Sequence, residues 1–393
     1  VYLDYYYNAR TDLIHIFKIT QNNDFFEIIK TDGNFIKNAA SLHKKFISNN
    51  DMGNAIEPGF QVFENLIMPY IDIDTETIFI APHSFLYEIP FSALPLNNKG
   101  FEEVATQTTE KKRGGLEALL PEDSTQKVLS GSYWLGLKYK LSLVNPIKRL
   151  WKKEEYPGIN FFGVGDPLYT GIKKASEIKL ADIGTRGNKI KVLLEDLIPL
   201  PETKDELVSI SKLKDLSSSI LLLGRDATEQ NLISAIDLTM ADIISIATHG
   251  FVGSEMNSFS EPGLALTPGE PNTIDNNGYL SVSEVLNLDL NAEMVILSAC
   301  NTGSPQSGLS PPFSGLAAAF LAGGSDQILA SHWAVDSKST VHLMQKIVEK
   351  RLQSNDGWSS ARFEALNEFI LEYPEYSSPY YWAPFTLYGT TLN

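Results

Sequence analysis

His249 and Cys300 are the two side chains of this sequence whose types and settings combine into a reaction. The run ADIISIATHG brings His249 to its end, and the run MVILSACNTG places Cys300 just past its apolar segment. A thiol attacks as thiolate, and a neighbouring imidazole takes its proton and stabilises the anion, so the pair can work as nucleophile and base. Cys300 is the only cysteine in 393 residues, which leaves it without an intrachain disulfide partner and without the ligands of a Cys-rich metal site. Gly250 follows His249 directly, and Gly303 lies three residues after Cys300. Glycine at such places lets the backbone turn sharply and bring N–H groups close to a substrate. Each residue also has a structural reading: Cys300 as a small core side chain, and His249 as a hydrogen-bonded residue after a strand.

The elements that must position the pair follow from the pattern around it. Both runs hold Ile, Val, Leu and small residues without polar alternation, as strands buried on both faces of a parallel sheet do. In an open α/β sheet the ligand crevice lies outside the carboxyl ends of the strands, where His249 and Cys300 would stand. From residue 159 onward the pattern alternates strand and helix. Strands are expected at 159–164, 220–223, 242–248, 293–299, 328–335 and 385–387. Helices are expected from Pro201 through Glu206 and Ile210, then at 229–237 with Asp226 and Thr228 as caps, and at 315–321, 337–352 and 359–371. Residues 253–278, rich in Ser, Asn, Gly and Pro, would arch over the site, and 279–288 would hold a helix that Ser283 can cap.

The first part of the chain reads differently. Residues 2–8 and 12–19 form a hairpin pattern around Asn8-Ala9-Arg10, and 25–29 reads as a third strand. Helices are expected at 35–47 and 59–70, and a buried strand at 77–82. His83 sits in a polar turn and reads as structural. Two polar stretches, 97–130 and 170–190, read as loops, the first either a solvated loop or a contact, cleavage or regulatory element. The fold class is therefore α/β: a mostly parallel sheet with helices on both faces, plus an N-terminal α+β extension. The expected division is 1–150 and 151–393.

The runs ATHGF (247–251), LSACNTG (297–303), GLAAAFLAGG (315–324), SHWAVD (331–336) and PYYWAPFTLYG (379–389) stand in one order across the chain. Together they resemble the CHAT domain, a family of caspase-like cysteine peptidases related to separase. Leu86, Pro90, Phe91 and Leu94 are similar to the segment that precedes the family's catalytic half. His249 precedes Cys300 by 51 residues, and caspases keep their His about 50 residues upstream of their Cys.

The resemblance implies a caspase-like fold and a cysteine endopeptidase acting through a thioester, without metal or cofactor. In that reading the backbone N–H groups of Gly250 and Cys300 hold the oxyanion. By resemblance to caspases, the residues that read substrate charge are those ending two strands, here Asp166 and Asp336. Acids at those places imply a basic P1 residue, as in separase and metacaspases. Asp166 also reads as a turn residue before Pro167, and Asp336 as a helix N-cap. Family members often carry a second acid after the Asp336 position; this chain has Ser337, which leaves room for an uncharged P1. Trp333 and Trp382 read as pocket walls or core, and His332 as structural or pocket-lining. Family members commonly follow TPR-like repeats, and some act in bacterial defence by cleaving a dedicated protein after a trigger. The chain opens at Val1 within a strand pattern, so an upstream TPR-like region or an activating partner is expected.

Two other readings stay open. One is a CHAT-like scaffold that binds a partner without cleaving it. The other is a different Cys-dependent hydrolase or amidotransferase, although Ser298-Ala299-Cys300-Asn301-Thr302 lacks the Gly-x-Cys-x-Gly elbow of many such enzymes.

A formal net charge of −16 disfavours sequence-independent binding to nucleic acid or to an anionic membrane and favours a basic segment of a protein as partner. No apolar run approaches the roughly 20 residues of a membrane span. One unpaired cysteine fits a reducing, cytoplasmic setting.

Overall fold

The structure is a computed structural model. It describes residues 1–20, 23–98, 133–144, 159–169, 194, 197–236, 241–251, 261–269, 276–298, 315–333, 336–354 and 356–389. The expected loops at 97–130 and 170–190 lie outside these residues, Asn97 and Asn98 excepted. The chain groups into two units, Val1–Ile147 with Asp356–Thr386, and Lys148–Asn355 with Leu387–Asn393.

In the first unit β1 (Tyr2–Asn8) and β2 (Leu13–Thr20) form the expected hairpin, antiparallel and in register from Tyr2↔Ile19 to Asn8↔Leu13. Asn8 Oδ1 closes the turn by accepting the N–H of Arg10 at 3.0 Å. Leu3, Tyr5, Ile14 and Ile16 point to one buried side, the period-two pattern of a half-buried sheet. β3 (Asn23–Asp32) pairs antiparallel with β2. Asp32 caps α1 (Gly33–Ser48), accepting the Phe35 N–H, and α1 buries Ile36, Ala39, Ala40, His43 and Ile47 as one stripe.

α2 (Met52–Leu66) begins seven residues before the expected start. Asp51 caps it, and Pro58, which ordinarily argues for a helix start, stands inside it. The helix stops at Leu66, and Met68–Tyr70 is a separate 3-10 turn. A Cβ at Gly59 would come within 2.5 Å of the His43 ring, so glycine is what lets α1 and α2 approach there.

β4 (Thr77–Ala81) runs parallel to β1, and β5 (Lys140–Leu143) runs parallel to β4. Leu137 lies in a one-turn helix, Leu135–Lys138, and Leu141 and Leu143 lie in β5. Leu86, Phe91 and Leu94 are buried in the 3-10 turns Ser84–Glu88 and Phe91–Ala93 and the residue after them.

The second unit opens with β6 (Asn160–Gly165), α3 (Glu202–Ser211), β7 (Ser218–Leu223), α4 (Glu229–Ile236) and β8 (Ile243–Ala247). Thr228 caps α4, its Oγ1 accepting the Asn231 N–H at 3.2 Å. β12 (Met294–Ser298), α5 (Leu316–Ala322), β13 (Gln327–Ser331) and α6 (Ser337–Gln353) follow. Its main sheet has the order β13-β12-β8-β6-β7, with every pairing parallel. All residues of β8, β12 and β13 are buried, which is why their sequences show no polar alternation. The fold is the expected α/β class with a mostly parallel sheet, and in the first unit β1·β2 and β2·β3 are antiparallel.

Three expectations for this unit are corrected. Within 253–278 the described residues include a strand, β10 (Gly263–Ala265), which with the flanking β9 (Gly250–Phe251) and β11 (Tyr279–Ser281) builds a second, antiparallel sheet of order β11-β10-β9; residues 253–260 and 270–275 of the expected arch lie outside the described residues. The helix after it is one turn, Val282–Val285, and Ser281 rather than Ser283 caps it in a reciprocal box with Glu284. β13 ends at Ser331, so Asp336 does not terminate a strand.

The chain then returns to the first unit with α7 (Gly357–Glu372), and β14 (Phe385–Gly389) follows it. Arg362 on α7 is buried and donates to the Phe385 carbonyl at 2.7 Å and to Ser92 Oγ at 2.8 Å. Among the described residues no helix is long and apolar enough to cross a membrane.

Candidate active site

β8 delivers His249 two residues past its end, and β10 grips the exit. Thr248 Oγ1 donates to the Ala265 carbonyl at 2.5 Å, and the Ala265 N–H donates to the His249 carbonyl at 2.9 Å. With its one proton committed to Ala265, Thr248 Oγ1 accepts from the Tyr169 hydroxyl at 2.9 Å. Burial pushes the Tyr169 phenol up to about 12, so it stays a neutral donor. Tyr169, Leu194, Ala265 and Tyr279 form a buried apolar cluster, with Leu197 and Phe251 packed on it. The Tyr169 ring centroid lies 5.8 Å from that of His249.

His249 Nε2 is 2.7 Å from the Ile198 carbonyl oxygen. A carbonyl only accepts, so Nε2 carries a proton and, in the neutral ring, Nδ1 holds the lone pair. In the neutral ring the nitrogen able to take up a proton is therefore Nδ1. Ile198 stands between Leu197 and Pro199, with Pro201 two residues further. Proline fixes φ, which stiffens the segment that offers this carbonyl.

Gly250 pairs with Leu264 across β9 and β10. Because the neighbouring Ala265 N–H bonds the His249 carbonyl, Gly250 and Leu264 form a non-hydrogen-bonded pair of the antiparallel ladder. The Gly250 N–H thus points away from β10, toward the open edge of the small sheet.

That sheet is pinned from below by Glu229. Its Oε1 accepts the N–H groups of Gly278 and Tyr279, the latter at 2.8 Å. Desolvation, with Glu284 adding like charge, pushes the Glu229 carboxyl up to about 8 against the pull of those N–H groups.

Cys300 and Ala299 lie outside the described residues. β12 is described to Ser298, the register partner of Ala247 on β8. Ser298 Oγ donates to Glu206 Oε1 at 2.7 Å.

The remaining expected site residues are placed as follows. Asp166 follows β6 with φ of +50°, a left-handed turn conformation, and its N–H donates to Thr203 Oγ1 at 2.8 Å. Desolvation raises its pKa and Asp205 adds to that, while Lys204 lowers it. Asp336 is the N-cap of α6, its Oδ1 accepting the Ser339 N–H at 2.9 Å. Trp333 is buried beside His332. His332 is buried 3.2 Å from the Tyr388 hydroxyl through Nε2. Trp382 is core in the first unit and donates to the Ser377 carbonyl. His83 accepts the Tyr7 N–H on Nδ1 at 3.2 Å, a structural bond.

Glu206 and Glu229 were not singled out from the sequence, yet a signal existed for the first. Thr203, Glu206, Leu207 and Ile210 are the buried face of α3, so the acid falls on the inward stripe of its helix. The Ile198 carbonyl has no such signal, since every residue carries one. Among the described residues no group of three or more His, Cys, Asp and Glu side chains is gathered to hold a metal ion.

The CHAT domain family model matches residues 57–390. No curated protein matches the chain. Among solved structures, the chain is similar to the Arg-specific cysteine proteinase gingipain R, with 11% identity and a TM-score of 0.43, over 91% of this chain and 73% of that one. It is similar to RgpB of Porphyromonas gingivalis in a complex of pro- and mature domains, with 12% identity and a TM-score of 0.44, over 91% and 74%. It is also similar to the separase of Saccharomyces cerevisiae in a complex with securin, with 12% identity and a TM-score of 0.38, over 94% of this chain and 21% of that one.

Proposed function

The chain belongs to the CHAT domain family, and from that premise we propose that it is a cysteine endopeptidase in which Cys300 is the nucleophile and His249 its base. The observation that carries this reading is the His249 Nε2 bond to the Ile198 carbonyl at 2.7 Å, which leaves Nδ1 as the nitrogen free to accept a proton.

In the proposed reaction the Cys300 thiol proton passes to His249 Nδ1, and the sulfur attacks the carbonyl carbon of the scissile peptide. The oxygen of the tetrahedral intermediate takes the negative charge and is held by the N–H groups of Gly250 and Cys300. One such donor is worth on the order of 100-fold in rate. The C–N bond then breaks, the imidazolium returns its proton to the leaving amine, and a thioester remains. Water, deprotonated by His249, hydrolyses it and restores the thiol.

The substrate is proposed to be one protein partner, cut after a basic P1 residue that Asp166 and Asp336 read beside a wall formed by Trp333. The net charge of −16 supports a basic segment as the bound stretch. The proposed setting is the cytoplasm, on the single unpaired cysteine. Residues 151–393 are proposed as the catalytic part and 1–150 as its N-terminal complement, with cleavage under regulation.

The test is digestion of a pooled peptide library by the chain and by Cys300→Ala, with mass spectrometry of the residue before each new end. Cuts that vanish in Cys300→Ala and follow Lys or Arg are expected. Cuts that persist in Cys300→Ala would overturn the nucleophile; cuts after apolar residues would remove the roles of Asp166 and Asp336 and leave the dyad.

A further inference from the structure

Glu206 is a buried ionisable side chain that the reaction above does not use. It is 2% exposed, on the inward face of α3 between Thr203 and Ile210. Among the described residues its hydrogen-bond partner is Ser298, itself 7% exposed, whose Oγ lies 2.7 Å from Glu206 Oε1. Ser298 is the last residue of β12 and precedes Cys300 by two positions.

For packing alone a carboxyl is a poor choice here. Burying one with a single hydroxyl partner is unfavourable, and an apolar side chain of similar volume is commonly neutral or better for the fold. Burial holds the Glu206 carboxyl up to about 8, so near neutral pH it persists mostly as the uncharged acid. The carbonyl oxygen of the uncharged acid still accepts the serine proton. The bond joins α3 to Ser298, the last residue of β12 and of its described pairing with β8.

We propose that Glu206 is a positioning residue: by accepting the Ser298 hydroxyl it fixes the exit of β12 and so aims the nucleophile that follows. This rests on the reading of Cys300 as nucleophile. Reactive groups must be held by side chains whose own rotamers are locked, and a buried hydrogen bond from the preceding strand end does that.

The experiment compares wild type, Glu206→Leu, Glu206→Gln and Ser298→Ala. It reads kcat and KM separately on a cleaved peptide, the rate of Cys300 alkylation by iodoacetamide, and the melting temperature. Cys300 is the only thiol, so alkylation reports one site. Glu206→Leu and Ser298→Ala are expected to lower kcat and the alkylation rate about 10-fold, with KM and melting temperature little changed. Glu206→Gln, whose amide oxygen accepts the same proton, is expected to restore most of the rate. A folded Glu206→Leu as fast as wild type would overturn the proposal, as would Glu206→Gln as slow as Glu206→Leu. If Glu206→Leu does not fold, Ser298→Ala decides, since it removes one atom. Wild-type alkylation no faster than that of the unfolded chain would instead overturn the nucleophile reading itself, and this proposal with it.

Discussion

Ala247 and Ser298 face each other across the parallel strands β8 and β12, each the last residue of its strand. His249 follows Ala247 by two residues, and Cys300 follows Ser298 by the same count. If His249 is the base and Cys300 the nucleophile, as proposed, the two are expected to act as one unit. His249→Ala should lower kcat/KM about 100- to 10,000-fold, the range for losing a positioned general base. Combining it with Cys300→Ala should add almost nothing to Cys300→Ala alone, because residues of one dyad are non-additive. Steady-state kinetics with circular dichroism on each variant checks this, and independent, multiplicative losses would disprove the unit.

The Ile198 carbonyl specifies the tautomer of His249. Its 2.7 Å contact to Nε2 is possible only with the proton on that nitrogen. Nitrogen-15 NMR of the imidazole should therefore show the Nε2–H form in the resting neutral ring. Pro199→Gly, which frees the backbone beside that carbonyl, should lower kcat roughly 10-fold with a smaller effect on KM. A resting Nδ1–H ring would exclude Nδ1 as the base.

The strand frame of this site was legible because β8 and β12 are apolar runs without polar alternation, each followed within a few residues by a glycine, Gly250 or Gly303. β10 and β11 were not, since three-residue strands inside a Ser/Pro/Gly stretch carry no period to read. The spacing Ser281 to Glu284 is the S-x-x-E signature of a capping box, and it outweighs the Ser283 cap read from composition. The expected strand 328–335 ran long because His332, Trp333, Ala334 and Val335 continue its apolar composition after the ladder has ended at Ser331. Pro58 hid the first turn of α2, which Asp51 starts. The side chain of His249 was legible by type; the main-chain oxygen that orients it was not, because backbone partners leave no mark on residue identity.

Asp336 has a structural duty that must be separated from any reading of substrate charge. As N-cap of α6 it accepts the Ser339 N–H, and losing such a cap costs about 1 kcal/mol. Asp336→Asn keeps a cap and removes the charge; Asp336→Ala removes both. Asp166→Asn likewise suits the left-handed φ of +50° while removing charge. If these acids read a basic P1, both Asn variants should lower cleavage after Arg or Lys about 10-fold relative to cleavage after an uncharged residue, at unchanged melting temperature. An effect confined to Asp336→Ala would assign Asp336 to the helix alone.

The two units are expected to respond to pH in opposite directions. In the second unit desolvation pushes Glu206 and Glu229 from 4.5 to about 8. A carboxyl raised in this way keeps its proton when folded across a window in which the unfolded chain has lost it. Stability is then full below about pH 4.5 and falls as pH rises toward about 8. In the first unit desolvation lowers His43 from 6.5 to about 4, opposed by hydrogen bonds to backbone. Here the unfolded chain gains the proton first on acidification, so this contribution is full above about pH 6.5 and is lost as pH falls toward 4. Hydrogen exchange, corrected for intrinsic rates, should show protection in α1 weakening from pH 6.5 to 5 and protection in β11 weakening from pH 6 to 8. Glu229→Gln should leave α1 unaffected and stabilise the second unit relative to wild type by on the order of 1 kcal/mol or more at pH 8, with little difference at pH 5. An equal difference at both pH values would mean that Glu229 titrates alike folded and unfolded, and would remove it as the source of the slope.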